Sequence, residues 1–95
     1  MSNKDEYVRK MHARLDQFSA EIYALVAKAD QAEGQLRAEY HGQIESLRGK
    51  WEDARKRLNQ LQEAGEGAWE DLKAGLEIAW EAIGEAIRSV KSRFK

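Results

Sequence analysis

The feature that most constrains this chain is the regular spacing of apolar and small residues along its first half. The steps between them alternate between three and four residues: Val8, Met11, Leu15, Phe18, Ile22, Leu25, Ala29, Ala32 and Leu36. This alternation is the heptad pattern of a coiled-coil helix, whereas a half-buried β-strand would repeat every two residues. Strong helix formers such as Glu, Lys, Gln, Arg and Ala fill the positions in between. The pattern therefore predicts a helix that buries one apolar stripe.

The stripe continues beyond Leu36 but shifts by one residue. Two steps of four, through Tyr40 to Ile44, precede a second regular run: Leu47, Trp51, Ala54, Leu58 and Leu61. Such steps occur in a continuous coiled coil that unwinds locally, and a chain reversal would produce the same shift. We favour one continuous helix over residues 4–62, about 87 Å long, because no cluster of turn-forming residues interrupts it. The alternative is a turn near Gly34, which would give three helices of similar length in a monomeric, spectrin-like bundle.

A second, shorter helix is predicted after the heptad pattern stops. The glycines of residues 64–67 predict a turn, with Gly65 in the left-handed conformation. Residues 68–94 then place their apolar side chains within an arc of about 80° on a helix: Trp69, Leu72, Leu76, Trp80, Ile83, Ile87, Val90 and Phe94. Small residues such as Gly75 and Ala79 flank this stripe and would allow another helix to approach closely. The predicted fold is all-α: residues 1–95 form one domain, a long coiled-coil helix followed by a shorter amphipathic helix, assembling into an oligomeric helical bundle.

The end of the sequence also carries a family resemblance. The residues concerned are Ala68-Trp69-Glu70-Asp71-Leu72-Lys73-Ala74-Gly75-Leu76-Glu77, Ala79-Trp80 and Ser92-Arg93-Phe94-Lys95. They resemble the C-terminal part of small, functionally uncharacterised bacterial coiled-coil-domain proteins. That family shares the layout of a charged heptad segment followed by a Trp-bearing amphipathic helix, and the resemblance implies no catalytic or binding residue. The return of Ala-Trp-Glu after eleven residues is also loosely similar to exchangeable apolipoprotein helices.

The composition excludes several classes of protein. The chain has no cysteine, which excludes disulfides, thiolate zinc sites and thiol nucleophiles. Sixteen basic and seventeen acidic residues give a net charge of −1, so no long-range field attracts nucleic acid. No apolar run is long enough to span a bilayer, and charged residues stand where a secretory signal would be apolar. We therefore expect a cytoplasmic protein that does not bind nucleic acid.

Few residues with catalytic or ligating chemistry occur in a recognisable pattern. His12 with Asp16, and His41 with Glu45, each offer two metal ligands on one helix face, but two ligands do not make a site. The serines lie on predicted helices without a nucleophile motif, and the glycines after residue 64 follow a helix rather than a strand. We expect no catalytic, cofactor-binding or metal-binding residue and no enzymatic activity.

The length of the apolar stripe predicts association with another chain. The shorter helix covers only about half of a continuous helix over residues 4–62, and each exposed Leu, Ile or Phe forfeits roughly 1.5 to 3 kcal/mol of burial. We expect a self-associating coiled-coil scaffold, a homodimer or larger, that could also bind a helical protein partner. The predicted interface comprises Leu15, Phe18, Ile22, Leu25, Leu36, Leu47, Trp51, Leu58, Trp69, Leu72, Leu76, Trp80, Ile83 and Ile87.

A second hypothesis is a peripheral protein of a membrane or lipid surface. Its C-terminal helix would leave the bundle and place Trp69, Trp80 and Phe94 among the lipid headgroups. An acidic ridge on the same helix would be repelled by anionic lipid: Glu77, Glu81 and Glu85. The ridge instead predicts docking against arginines of another helix: Arg48, Arg55 or Arg57.

Overall fold

Residues 3–94 are described by the computed structural model, and they form a bundle of three helices without a strand. These are α1 (Asn3–Gln31), α2 (Gly34–Glu63) and α3 (Ala68–Arg93). The helices run up, down and up, so that the bundle measures 51 × 19 × 18 Å. The chain is thus a small all-helical protein of 95 residues.

The prediction of one continuous helix over residues 4–62 is wrong, and the three-helix alternative describes the fold. A helix of that length would extend about 87 Å, well beyond the 51 Å of the bundle. The chain reverses at Ala32 and Glu33, and α2 begins at Gly34 with a φ of 62°. A residue with a Cβ atom avoids this left-handed conformation, whereas glycine adopts it freely. A single glycine therefore suffices for the reversal.

Charged side chains span this first turn. The His41 Nε2 atom of α2 lies 2.9 Å from the Asp30 Oδ1 atom of α1, and an Arg37 guanidinium nitrogen lies 3.6 Å from the same oxygen. Asp30 thus connects α1 to α2 across the turn. The start of α2 has no side-chain cap.

The reversal folds the apolar stripe of α1 onto that of α2, and α3 covers both. The buried residues form one cluster: Val8, Met11, Leu15, Ile22, Leu25, Ala29, Ile44, Leu47, Ala54, Leu58, Leu61, Trp69, Leu76, Trp80, Ile83, Ile87, Val90 and Phe94. No polar or charged residue is buried among residues 3–94. One copy of the chain therefore covers most of the stripe that was expected to need a partner.

Polar contacts fix the helix ends against one another. The Lys4 ammonium of α1 donates to the carbonyl oxygens of Gln62 and Ala64, at 3.1 and 3.0 Å, where α2 ends. At the other end, the Tyr40 hydroxyl donates to the Arg93 carbonyl oxygen, and the ring centroids of Tyr40 and Phe94 lie 3.8 Å apart. A positive charge at the C-terminal carbonyls of a helix is favourable because those carbonyls carry partial negative charge.

The second turn, over residues 64–67, differs from the sequence analysis in its glycine conformation. The prediction that Gly65 is left-handed is wrong, since Gly34 is the one residue of the described range with a positive φ. The Gly65 carbonyl instead accepts hydrogen bonds from the Ala68 and Trp69 amides as α3 begins. Because that carbonyl satisfies two amides at the start of α3, the turn needs no left-handed residue.

Candidate interaction surface

The structure places most of the predicted interface inside the single chain. Ten of the predicted residues are buried: Leu15, Ile22, Leu25, Leu47, Leu58, Trp69, Leu76, Trp80, Ile83 and Ile87. Phe18 and Trp51 are partly buried against this core, whereas Leu36 and Leu72 are exposed. The buried side chains contact other helices of the same chain, so any surface that binds a partner must be sought elsewhere.

The most exposed aliphatic side chain of α3 lies outside the predicted interface. Ile78 is 68% exposed, and it borders a groove between α2 and α3. Small residues line this groove, which we call the α2–α3 groove: Ser46 and Gly49 from α2, and Gly75, Ala79 and Ala82 from α3. A large apolar side chain thus stands beside a depression formed by small ones.

Long polar side chains of α2 lie along the same groove. A Cβ atom placed on Gly75 would be 3.3 Å from a guanidinium nitrogen of Arg57, so the missing side chain makes room for this arginine. Arg57 in turn donates a 2.8 Å hydrogen bond to Asp53 on its own helix. Arg57 and Gly75 are therefore level with each other, which fixes the register of the antiparallel helices α2 and α3.

Lys50 is a charged residue of the α2–α3 groove that makes no ion pair or hydrogen bond with residues 3–94. Glu85 also has no partner in that range, but it lines the groove between α1 and α3. By contrast, the arginines expected to meet the acidic ridge pair with acids of their own helix. Those pairs are Arg48 with Glu45, Arg55 with Glu52, and Arg57 with Asp53.

Gly49 also lies at this surface without an evident role inside the chain. Apart from its chain neighbours and the backbone of its own helix, no atom lies within 4 Å of the place where its Cβ would be. A glycine within a helix costs about 1 kcal/mol relative to alanine, and no close contact within residues 3–94 requires it. The absence of a side chain keeps the α2 backbone accessible beside the groove.

The opposite side of α3 holds a polar cluster with α1. The Tyr7 hydroxyl donates a 2.8 Å hydrogen bond to the Glu77 carboxylate, and the Lys73 ammonium lies 5.0 Å from the centre of the Tyr7 ring. Burial, followed by this hydrogen bond and the charge of Glu77, raises the pKa of the Tyr7 hydroxyl far above its ordinary value of 10.0. The Trp80 indole nitrogen makes no hydrogen bond, and among the described residues it is the one buried side-chain donor without an acceptor.

A second groove runs between α1 and α3, and its charged residues are partly engaged. The Lys91 ammonium lies 3.2 Å from the Glu21 carboxylate, and Glu77 accepts from Tyr7 as described above. Phe18 and Trp80, whose ring centroids are 5.6 Å apart, contact each other along this groove. These contacts hold α1 against α3.

Neither histidine pair gathers further ligands. His41 lies beside Asp30 rather than in a cluster of acids, and no three His, Asp or Glu side chains of residues 3–94 converge as a metal site requires. Within the same range, no helix combines the length and hydrophobicity needed to cross a membrane. Trp69, Trp80 and Phe94, the residues suggested for lipid contact, are all buried.

Comparisons with known proteins give no relative. No protein family, curated protein or solved structure matches this sequence. The resemblance to small bacterial coiled-coil-domain proteins and to apolipoprotein repeats stays a prediction, and the function must be inferred from the surface of the bundle.

Proposed function

We propose that this protein is a non-enzymatic helical interaction module that associates with a second copy of itself through the α2–α3 groove. The observation that carries the proposal is the 68% exposure of Ile78 beside that groove. Fully burying an isoleucine stabilises a complex by roughly 1.5 to 3 kcal/mol, and a symmetric dimer would bury two of them. A scaffold or adaptor role follows from such an assembly.

A second copy is the occupant that fits the groove best. The exposed side chain and the depression lie next to each other on one surface, so two copies can each insert Ile78 into the other's groove. An interface of this kind uses the same patch on both subunits, as two-fold dimers do. The same groove also carries Lys50, whose ammonium makes no ion pair or hydrogen bond within residues 3–94.

The remaining chemistry of the bundle supports a structural rather than a catalytic role. The side chains most suited to proton transfer or binding already hold helices together: Tyr7 with Glu77, His41 with Asp30, and the Trp51 indole with the Leu15 carbonyl. Groups engaged in this way stabilise the fold, and they would have to break these hydrogen bonds before they could take part in a reaction.

Light scattering coupled to size-exclusion chromatography tests the proposal. We expect the wild-type chain to approach twice its mass of 10.9 kDa as concentration rises. Ile78→Glu should stay at the monomer mass with unchanged helix content, because it removes the apolar side chain that the contact would bury and replaces it with a carboxylate that would have to lose its water. Tyr23→Glu is the matched control, since Tyr23 is 69% exposed but lies between α1 and α2. A wild-type monomer at all concentrations, or dissociation by Tyr23→Glu alone, would overturn the proposal.

A further inference from the structure

We infer that the aromatic rings of Tyr7 and Trp69 form a binding site for a quaternary ammonium group, and that Lys73 occupies this site in the free protein. The three residues lie where α1 meets the start of α3, and none of them lines the α2–α3 groove. The inference therefore stands independently of the proposed self-association. It follows from the position of the Lys73 ammonium, from the geometry of the two rings and from the neighbouring carboxylate of Glu77.

The Lys73 ammonium shows that this place holds a cation. Its Nζ atom lies 5.0 Å from the centroid of the Tyr7 ring and 5.9 Å from that of the Trp69 ring. A cation within about 6 Å of a ring centroid is attracted by the negative charge density on the ring face. Glu77 lies four residues further along the same helix, yet Lys73 makes no ion pair or hydrogen bond with residues 3–94. The two rings, rather than a carboxylate, hold the ammonium.

The two rings form the walls of a small cleft. Their centroids are 5.9 Å apart and their planes are inclined by 40°, so the rings do not stack flat on each other. Because all three distances are similar, the ammonium lies opposite both rings rather than over one of them. The Tyr7 hydroxyl donates a 2.8 Å hydrogen bond to the Glu77 carboxylate. That bond fixes the Tyr7 ring and places a negative charge beside the cation site.

The chemistry of the cleft suits a quaternary ammonium better than the ammonium of a lysine. A lysine ammonium carries three N–H donors, and the ring faces leave those donors to water. A trimethylammonium group has no N–H donor, and its methyl groups bury apolar surface against the rings while its positive charge is still attracted. Lys73 is exposed, so a ligand from solution reaches the rings once this side chain moves away. Lys73 therefore acts as an internal competitor.

A titration of the Lys73→Ala variant with tetramethylammonium chloride tests the inference. The three tryptophans give separate indole signals in ¹H–¹⁵N NMR spectra. The Trp69 signal should shift and saturate, whereas that of Trp51, which donates to Leu15 between α1 and α2, should stay in place. We expect wild type to bind about fivefold more weakly, because its tethered ammonium competes for the rings. Sodium chloride at equal ionic strength is the control for salt and should give no saturating shift.

A pair of substitutions at residue 7 tests the role of the ring. Combined with Lys73→Ala, Tyr7→Phe keeps the ring and should bind tetramethylammonium within about twofold of Lys73→Ala alone. Tyr7→Leu keeps an apolar side chain but removes one wall of the cleft, and it should bind at least about fivefold more weakly. Circular dichroism establishes that each variant is folded, and if Tyr7→Leu is not, the comparison of Lys73→Ala with wild type decides alone.

Three results would overturn the inference. The first is the absence of a saturating Trp69 shift in Lys73→Ala, which would mean that the rings do not bind the cation. The second is equal binding by wild type and Lys73→Ala, which would mean that Lys73 does not occupy the site. The third is equal binding by the folded Tyr7→Phe and Tyr7→Leu variants.

Discussion

The indole nitrogen of Trp51 on α2 donates a 2.8 Å hydrogen bond to the main-chain carbonyl oxygen of Leu15 on α1. A side chain of one helix thus reaches the backbone of the next near the middle of both. The apolar stripes of α1 and α2 pack against each other, and this hydrogen bond fixes the register between the two helices. The contacts of Lys4 with Gln62 and Ala64 fix the same register at the helix ends.

Replacing Trp51 with phenylalanine should destabilise the bundle by about 1 kcal/mol, because the ring still packs but the indole donor is lost. Urea unfolding followed by circular dichroism measures the change. Tyr23→Phe removes an exposed hydroxyl that has no partner in residues 3–94, and it should alter the free energy of unfolding by less than about 0.5 kcal/mol. Equal effects of the two substitutions would contradict the role given to the Trp51 hydrogen bond.

Two glycine-to-alanine substitutions should change stability in opposite directions. Gly34→Ala places a Cβ atom on a residue with a φ of 62° and should cost about 1 kcal/mol or more. Gly42→Ala lies within α2, where nothing is within 4 Å of the added atom, and should stabilise by about 1 kcal/mol through helix propensity. Thermal or urea unfolding at low protein concentration compares them. A stabilising Gly34→Ala would mean that the first turn is not left-handed at that residue.

The pKa of Tyr7 predicts a loss of stability in alkali. Below pH 10.0 the hydroxyl is protonated in both the folded and the unfolded chain, so its contribution is fully present. Above that pH the unfolded chain releases the proton while the folded chain retains it, and the free energy of unfolding falls as pH rises toward the raised folded pKa. Tyr7→Phe should be less stable than wild type at neutral pH but should lose less stability in alkali. Parallel pH profiles for the two proteins would refute the prediction.

The fluorescence of the buried tryptophans separates a packed bundle from a lipid-seeking helix. Trp69 and Trp80 are 7% and 3% exposed, so tryptophan emission should already be shifted to short wavelength in buffer. Anionic vesicles should leave the spectrum unchanged. A further blue shift on adding vesicles, together with flotation of the protein, would favour the membrane-surface hypothesis instead.

The heptad spacing was enough to predict all-helical structure and the identity of most core residues, but it could not decide where the chain turns. A one-residue shift of the stripe after Leu36 is compatible with two structures. A continuous helix shifts its stripe when it unwinds locally, and a chain reversal starts a second helix whose stripe has its own phase. The deciding property is the left-handed conformation of Gly34, which residue spacing does not encode. Gly42 and Gly49, also in α2, are helical and look the same in sequence.

The candidate surface was missed for a related reason. Periodicity selects residues that share the buried face, and Ile78 lies on the opposite side of α3 from Leu76 and Trp80. An isoleucine at a position that the helical pattern assigns to solvent was the available signal. The unpaired state of Lys50 could not be inferred from sequence either, since it depends on which of several neighbouring charges pair within α2.

The most direct test of this account measures whether α1 and α2 fold together within one chain. Spin labels on Lys10→Cys and Asn59→Cys can be placed uniquely because the chain has no cysteine. Pulsed electron paramagnetic resonance should give a distance below about 30 Å, since neighbouring helices pack about 8–10 Å apart, and dilution with unlabelled protein should not change it. A distance near 74 Å, the value of about 1.5 Å per residue in a continuous helix, would contradict the account. A short distance that disappears on dilution would contradict it equally.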